Sequence, residues 1–184
     1  STQVQMMTAY ADFLVNEMGV TKVAMYYVQS DWGVAVYDSF IEEFGKLGGE
    51  VVYSDMFPLG TKDFTPSLSK FKEHDSEYEV FFLAGHITEA SLIVNQMRKL
   101  GIDKPLITNN SLQMQEYLDI VGENAEGQIL LGYFAETGNT GRFEEFRKNF
   151  EERFGTKVDT HAFNTTDLIL VMFEALRNSG ADRE

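Results

Sequence analysis

The sequence predicts an α/β fold: a doubly wound, mainly parallel sheet with helices on both faces. Short apolar runs rich in β-branched and aromatic residues alternate with segments of helical periodicity, and this unit occurs five times. Glycines and turn residues separate most of these segments. Parallel neighbours need a crossover, which is usually a helix, so strict alternation favours a parallel sheet.

Each element follows from its own local pattern. A first helix is expected over residues 4–18, where apolar side chains follow helical spacing and Gly19 ends the pattern. Thr65 and Thr88 are expected to cap the third and fourth helices. The predicted strands are residues 22–28, 51–57, 79–84, 105–108 and 128–134. The predicted helices between them are residues 34–47, 67–73, 88–100 and 113–121.

The alternation stops beyond Gly138, where two helices follow one another without a strand between them. Phe143, Phe146, Phe150 and Phe154 form one aromatic stripe on the first of these helices. Residues 168–176, in the second, are apolar on nearly every side. A helix that lies on one sheet face needs only one apolar stripe, so these helices are expected to pack against something further.

Composition excludes several classes of function. Fifteen Lys and Arg against 29 Asp and Glu give a formal net charge of -14, which disfavours binding to nucleic acid or to anionic membranes. Cysteine is absent, which excludes disulfides, Cys-ligated metals and thiol nucleophiles. No apolar run approaches the roughly 20 residues that span a bilayer. The first ten residues lack the pattern of a signal peptide, so an export signal is expected outside this chain.

The sequence predicts neither an enzyme nor a cofactor or metal site. His74, His86 and His161 lie far apart and show no paired ligand spacing. Neither of the two common Gly-rich phosphate-binding motifs follows a predicted strand. The serines in loops lie beside no credible histidine base, so no nucleophile and base can be paired.

A binding site is expected where the strands end. Ligands of open α/β sheets bind beyond the carboxyl ends of the strands, and five loops meet at that end of the sheet. These loops are residues 29–33, 58–63, 85–88, 109–113 and 135–138. Trp32, the single tryptophan, lies in the first loop and either covers a ligand or plugs its own loop. His86, in the third, either faces a ligand or is merely solvated.

Four stretches, taken in order and spacing, resemble the second lobe of type I periplasmic solute-binding proteins, in particular the branched-chain amino-acid binding components of ABC transporters. They are KVAMYYVQSDWGVAVYDSFIEEFGKLGGEVV, PLGTKDFTPSLSKFK, EVFFLAGHITEASLIVNQMRKLGI and LITNNSLQ. The resemblance implies a periplasmic or extracellular protein that closes two lobes on a small molecule and delivers it to a permease. A ligand-sensing domain of a receptor or regulator is the alternative.

The same resemblance implies how the chain is organised. Residues 1–137 would form the ligand-binding lobe. Residues 138–184 would form the crossover and two helices that pack on a first lobe preceding Ser1. Without that lobe, the helices at residues 143–154 and 160–177 would expose an apolar surface through which the chain can self-associate.

The resemblance also implies the ligand-binding residues. Trp32 takes the place of an aromatic residue that stacks over the ligand, and His86 and Ile87 match a position where relatives often carry tyrosine. Asn110 falls where amino-acid binders often place an acid that pairs with the ligand ammonium; an alignment shifted by one residue puts Asn109 there instead. Because an amide carries no counter-charge, a neutral or carboxylate-bearing ligand becomes an alternative to an α-amino acid.

Overall fold

The computed structural model describes residues 3–132 and 141–179 of the chain. The chain divides into two compact units, residues 1–131 and residues 132–184. The first unit contains the sheet, and the second contains the two successive helices.

A five-stranded parallel sheet forms the centre of the first unit, which confirms the predicted fold class. The strands are β1 (Lys22–Val28), β2 (Glu50–Phe57), β3 (Val80–Ala84), β4 (Leu106–Thr108) and β5 (Ile129–Leu130). In space they follow the order β2-β1-β3-β4-β5, and every neighbouring pair is parallel. The predicted last strand was longer, and its final residues 133 and 134 lie outside the described part.

Helices cover both faces of the sheet. They are α1 (Gln3–Asp12, continued by a π-helical turn over Phe13–Glu17), α2 (Asp31–Lys46), α3 (Thr65–Glu73), α4 (Ile87–Lys99) and α5 (Gln115–Val121). Short 3₁₀ turns occur at Asn110–Leu112 and Gly122–Ala125. The second unit consists of α6 (Gly141–Phe154) and α7 (Thr160–Asn178), close to the two helices predicted there.

Two hydrophobic cores lie on opposite sides of the sheet, because alternate residues of each strand point to opposite faces. Tyr26 and Val28 of β1 join the core under α3, α4 and α5, whereas Met25 and Tyr27 join the core under α1 and α2. A strand covered on both faces is apolar almost throughout, which is why β1 has a continuous apolar sequence.

The four helices between the strands begin at residues other than those predicted, and α5, for example, begins at Gln115 rather than at residue 113. α2 begins at Asp31 rather than at residue 34, so Trp32 lies in its first turn and not in a loop. Thr65 is the first residue of α3 rather than its cap, and Thr88 lies within α4. The residues preceding α3 and α4, Phe64 and His86, make no side-chain capping hydrogen bond.

The Tyr10 hydroxyl joins α1 to the ends of the last two strands. It donates a hydrogen bond to the Thr108 carbonyl oxygen at 2.6 Å and accepts one from the Leu131 N–H at 3.0 Å. Tyr10 is fully buried, so water cannot replace these bonds. The hydroxyl therefore fixes the ends of β4 and β5, where the chain leaves the first unit.

Replacing Tyr10 by Phe is expected to lower the free energy of unfolding by about 1–3 kcal/mol, because the buried Thr108 carbonyl loses its donor. Urea denaturation followed by circular dichroism measures this change. Tyr53→Phe is the matched control, since the Tyr53 hydroxyl has no hydrogen bond among the described residues. Equal losses of unfolding free energy in the two variants would contradict the structural role assigned to the Tyr10 hydroxyl.

Candidate ligand-binding site

The sheet reverses its direction of growth between β1 and β3. The chain leaves β1 through α2 on one face, and it leaves β3 through α4 on the opposite face. At such a switch point the two connections diverge and leave a crevice beyond the carboxyl ends of the strands. The candidate site is this crevice, and Trp32 and His86 lie on its two sides.

The Trp32 and His86 rings stack on one another. Their centroids are 5.5 Å apart and their planes are inclined by 25°. Trp32 is half-buried and packs against both hydrophobic cores, whereas His86 is exposed. The two rings form one offset stack, the Trp32–His86 platform, in which each ring covers part of the other and the indole is anchored on the cores. The sequence named both residues, and the structure brings them into contact.

Local geometry fixes the position of Trp32. Ser30 has an extended backbone, and its hydroxyl accepts a hydrogen bond from the Gly33 N–H at 3.1 Å, which begins α2 directly after β1. A Cβ on Gly33 would lie 1.9 Å from the Val28 carbonyl oxygen. Only glycine therefore allows the helix to start so close to the strand.

The backbone before His86 is fixed from the neighbouring strand. The Gly85 N–H donates to Asn109 Oδ1 at 2.9 Å, and Asn109 Nδ2 donates to the Ser111 hydroxyl. Asn109 is only 2% exposed, so its amide acts as a buried link between the ends of β3 and β4. This arrangement disfavours the alternative in which Asn109 contacts a ligand.

Asn110 and Ile87 complete the group of residues named from the sequence. Asn110 begins the 3₁₀ turn after β4, is half-buried, and makes no side-chain hydrogen bond to another residue that the structure describes. Ile87 is half-buried at the first position of α4 and packs against the core under that helix. The sheet order places both residues at the same end of the sheet as the platform, beyond the carboxyl ends of the strands. Their contact with a ligand stays a prediction.

Two side chains of α4 hold the loop after β2, and the sequence analysis missed both. Glu89 accepts a hydrogen bond from the Gly60 N–H at 2.9 Å. Gln96 accepts one from the Phe64 N–H at 2.7 Å and donates one to the Lys62 carbonyl at 2.8 Å. Glu89 is only 7% exposed, so its carboxylate is a nearly buried link between α4 and the loop.

Neutral groups support the end of β4. The Tyr117 hydroxyl donates to Gln128 Oε1 at 2.6 Å, and Gln128 Nε2 donates to the Thr108 hydroxyl at 2.7 Å. Burial raises the pKa of Tyr117 to about 12, so its hydroxyl stays protonated near neutral pH. The hydrogen bonds that join Tyr117, Gln128 and Thr108 therefore keep the same donors and acceptors near neutral pH.

Acidic side chains are few in the described rim loops. The acidic residues of the described rim loops are Asp31, which is exposed, and Asp63, which accepts a hydrogen bond from the Thr65 N–H. No group of three or more metal-ligating side chains comes together among residues 3–132 and 141–179. No described helix is both long enough and apolar enough to cross a bilayer. The fifth predicted loop, residues 135–138, lies outside the described residues.

The fold defines a class, the open α/β domains that have a crevice at the switch point of a parallel sheet. The chain belongs to the periplasmic binding protein family, whose sequence profile matches residues 1–184. It is 29% identical over 119 residues to Leu/Ile/Val-binding protein homolog 3 of Brucella melitensis, which covers 65% of this chain and 32% of the relative.

Solved structures share the fold. A leucine binding protein, LivK, from Thermotoga maritima superposes with a TM-score of 0.88 at 23% identity, covering 97% of this chain and 51% of that chain. A solute binding protein of an ABC transporter from Rhodopseudomonas palustris, in complex with 3,4-dihydroxybenzoic acid, has a TM-score of 0.80 at 24% identity. That match covers 98% of this chain and 50% of the other. The chain thus spans about half the length of these structures.

The two adjacent asparagines give a test of the scaffold. Asn109→Ala is expected to lower the free energy of unfolding by about 1–3 kcal/mol, because the Gly85 N–H is left buried without an acceptor. Asn110→Ala is expected to change it by less than about 0.5 kcal/mol, as is usual where no buried hydrogen bond is lost. Urea denaturation of both variants measures the difference. Similar values would show that Asn109 does not link the two strands.

Proposed function

We propose that this chain is the second lobe of a two-lobed solute-binding protein, which captures a small molecule by closure and delivers it to the permease of an ABC importer. The observation that carries the proposal is the Trp32–His86 platform at the switch point of the sheet. Membership of the periplasmic binding protein family supports it, as does a length about half that of the solved structures. The protein would act in the periplasm or outside the cell.

Closure would provide the mechanism. A ligand that contacts both lobes only when they are closed shifts the population toward the closed state. The platform would supply the wall of the closed site on this lobe. A micromolar dissociation constant corresponds to about -8 kcal/mol, so a lobe that makes half of the contacts would bind only near the millimolar range.

The relatives indicate the class of ligand. The similar proteins are named for leucine or for Leu/Ile/Val, and one structural neighbour holds an aromatic acid. The ligand of this protein would be a branched-chain or other amino acid, or a related small organic acid or amide. Trp32, His86, Ile87 and Asn110 would contact it.

Trp32→Ala in the full-length protein tests the site. A ring that covers about 100 Å² of ligand contributes about 2.5 kcal/mol, so affinity is expected to fall roughly 70-fold. Isothermal titration calorimetry measures it with L-leucine, with 3,4-dihydroxybenzoate, and with any molecule that mass spectrometry identifies in the denatured protein. An unchanged affinity with lowered stability would show that Trp32 is a structural plug.

A second aromatic–histidine stack provides the control. Tyr53 and His74 stack at 4.4 Å with planes 19° apart, on the edge strand β2 and at the end of α3. Tyr53→Ala removes a comparable half-buried ring away from the crevice. It is expected to lower stability and to leave ligand affinity unchanged.

The second unit would pack on the first lobe of the longer protein. Large apolar side chains of α7 are strongly exposed, with Leu168 at 65% and Phe173 at 64%. A groove of about 330 Å³ between α6 and α7 is lined by Phe143, Phe146, Phe163, Thr166, Asp167, Leu170, Val171 and Glu174. Exposed apolar patches of this kind mark interaction surfaces.

The isolated 184-residue chain is therefore expected to self-associate through α7. Replacing Leu168 and Phe173 together by Lys should restore a monomer, because two charges cannot be buried in an apolar interface. Sedimentation velocity over a range of concentrations measures the effect. Ile41→Lys, at a 39% exposed position of α2, is the control and should not change association. A wild-type chain that is monomeric at every concentration would contradict this prediction.

A further inference from the structure

We infer that the Trp32–His86 platform makes this site selective for a ligand that carries an aromatic ring, in preference to one with a branched aliphatic group. The inference rests on the proposed function, because it names the class of molecule that the same crevice captures. The described side chains of the crevice fit one of these two ligand shapes better than the other.

The first argument is the shape of the surface. Because the two rings stack, each covers part of the other, and the outward face of the exposed imidazole is the flat surface that remains, whereas a branched aliphatic group fits best among several convergent apolar side chains. The exposed imidazole extends the half-buried indole toward solvent. An aromatic ligand would extend the stack or lie against its edge, the two geometries that aromatic pairs prefer.

The second argument is rigidity. The turn that carries Trp32 is held by the Ser30 cap and by the close approach of Gly33 to Val28. The residue before His86 is held by the buried Asn109 amide. Because both backbones are fixed before a ligand arrives, little conformational entropy is lost when a flat ring stacks on them.

The third argument is the polar groups beside the platform. The imidazole nitrogens of His86 make no hydrogen bond to another described residue, and neither does the Asn110 amide. Imidazole nitrogens donate and accept in the plane of their own ring. A ligand ring that lies against the edge of the imidazole can place a hydroxyl, carboxyl or amide substituent in that plane, and an aliphatic side chain has none to offer.

Two matched pairs of probes test this inference on the full-length protein by calorimetry. The pairs are L-phenylalanine with L-leucine, and 3-phenylpropanoate with 4-methylpentanoate. Each pair compares a ring with a branched chain, and the second pair lacks the ammonium group. The ring-bearing member should bind roughly 2- to 13-fold more tightly in at least one pair, the range typical of aromatic pairing.

Variants that keep apolar bulk but remove the flat rings sharpen the test. In the pair of probes that shows a preference for the ring-bearing member, Trp32→Leu and His86→Leu should each reduce that preference. His74→Leu should leave the preference unchanged. Thermal unfolding checks that every variant is folded. A preference that survives both Trp32→Leu and His86→Leu would overturn the inference.

The remaining outcomes separate this inference from the proposed function. Tighter binding of the aliphatic member in both pairs would overturn the ring preference, while closure of the protein on that ligand would support the proposed function. If no probe binds, the molecule that co-purifies with the full-length protein decides, and one without an aromatic ring overturns the inference. Failure to close on any small molecule would instead remove the proposed function itself.

Discussion

The reversal of connections between β1 and β3 is the constraint on which the rest of the structure depends. Because α2 and α4 leave neighbouring strands toward opposite faces, these two connections diverge and leave a crevice beyond the carboxyl ends of β1 and β3. Trp32 and His86 begin those two helices, so both rings are brought to the same opening. The position of the candidate site is thus a consequence of topology, and its side chains would decide which ligand it holds.

The strands and the fold class could be predicted because they depend on local pattern. A run such as β1, buried on both faces, is apolar throughout and is bounded by turn residues. The helix starts were less predictable because distant residues decide them. The Phe64 N–H before α3 is satisfied by Gln96 from another helix, so the nearby Thr65 did not have to serve as a cap.

The candidate site was predictable only in part, for a similar reason. Trp32 and His86 could be named because each follows a strand, and residues that follow parallel strands lie at the same end of the sheet. The sequence could not distinguish Asn109 from Asn110, since adjacent identical residues differ only in the direction of their side chains. Glu89 was missed because its partner, Gly60, lies 29 residues away along the chain.

The single tryptophan also has an optical consequence. Because Trp32 packs against both cores and stacks on His86, all tryptophan emission from this chain originates at the mouth of the crevice. Either occupation of the crevice or loosening of one of the cores would change the surroundings of the same indole. The chain therefore contains its own spectroscopic reporter, which needs no added label.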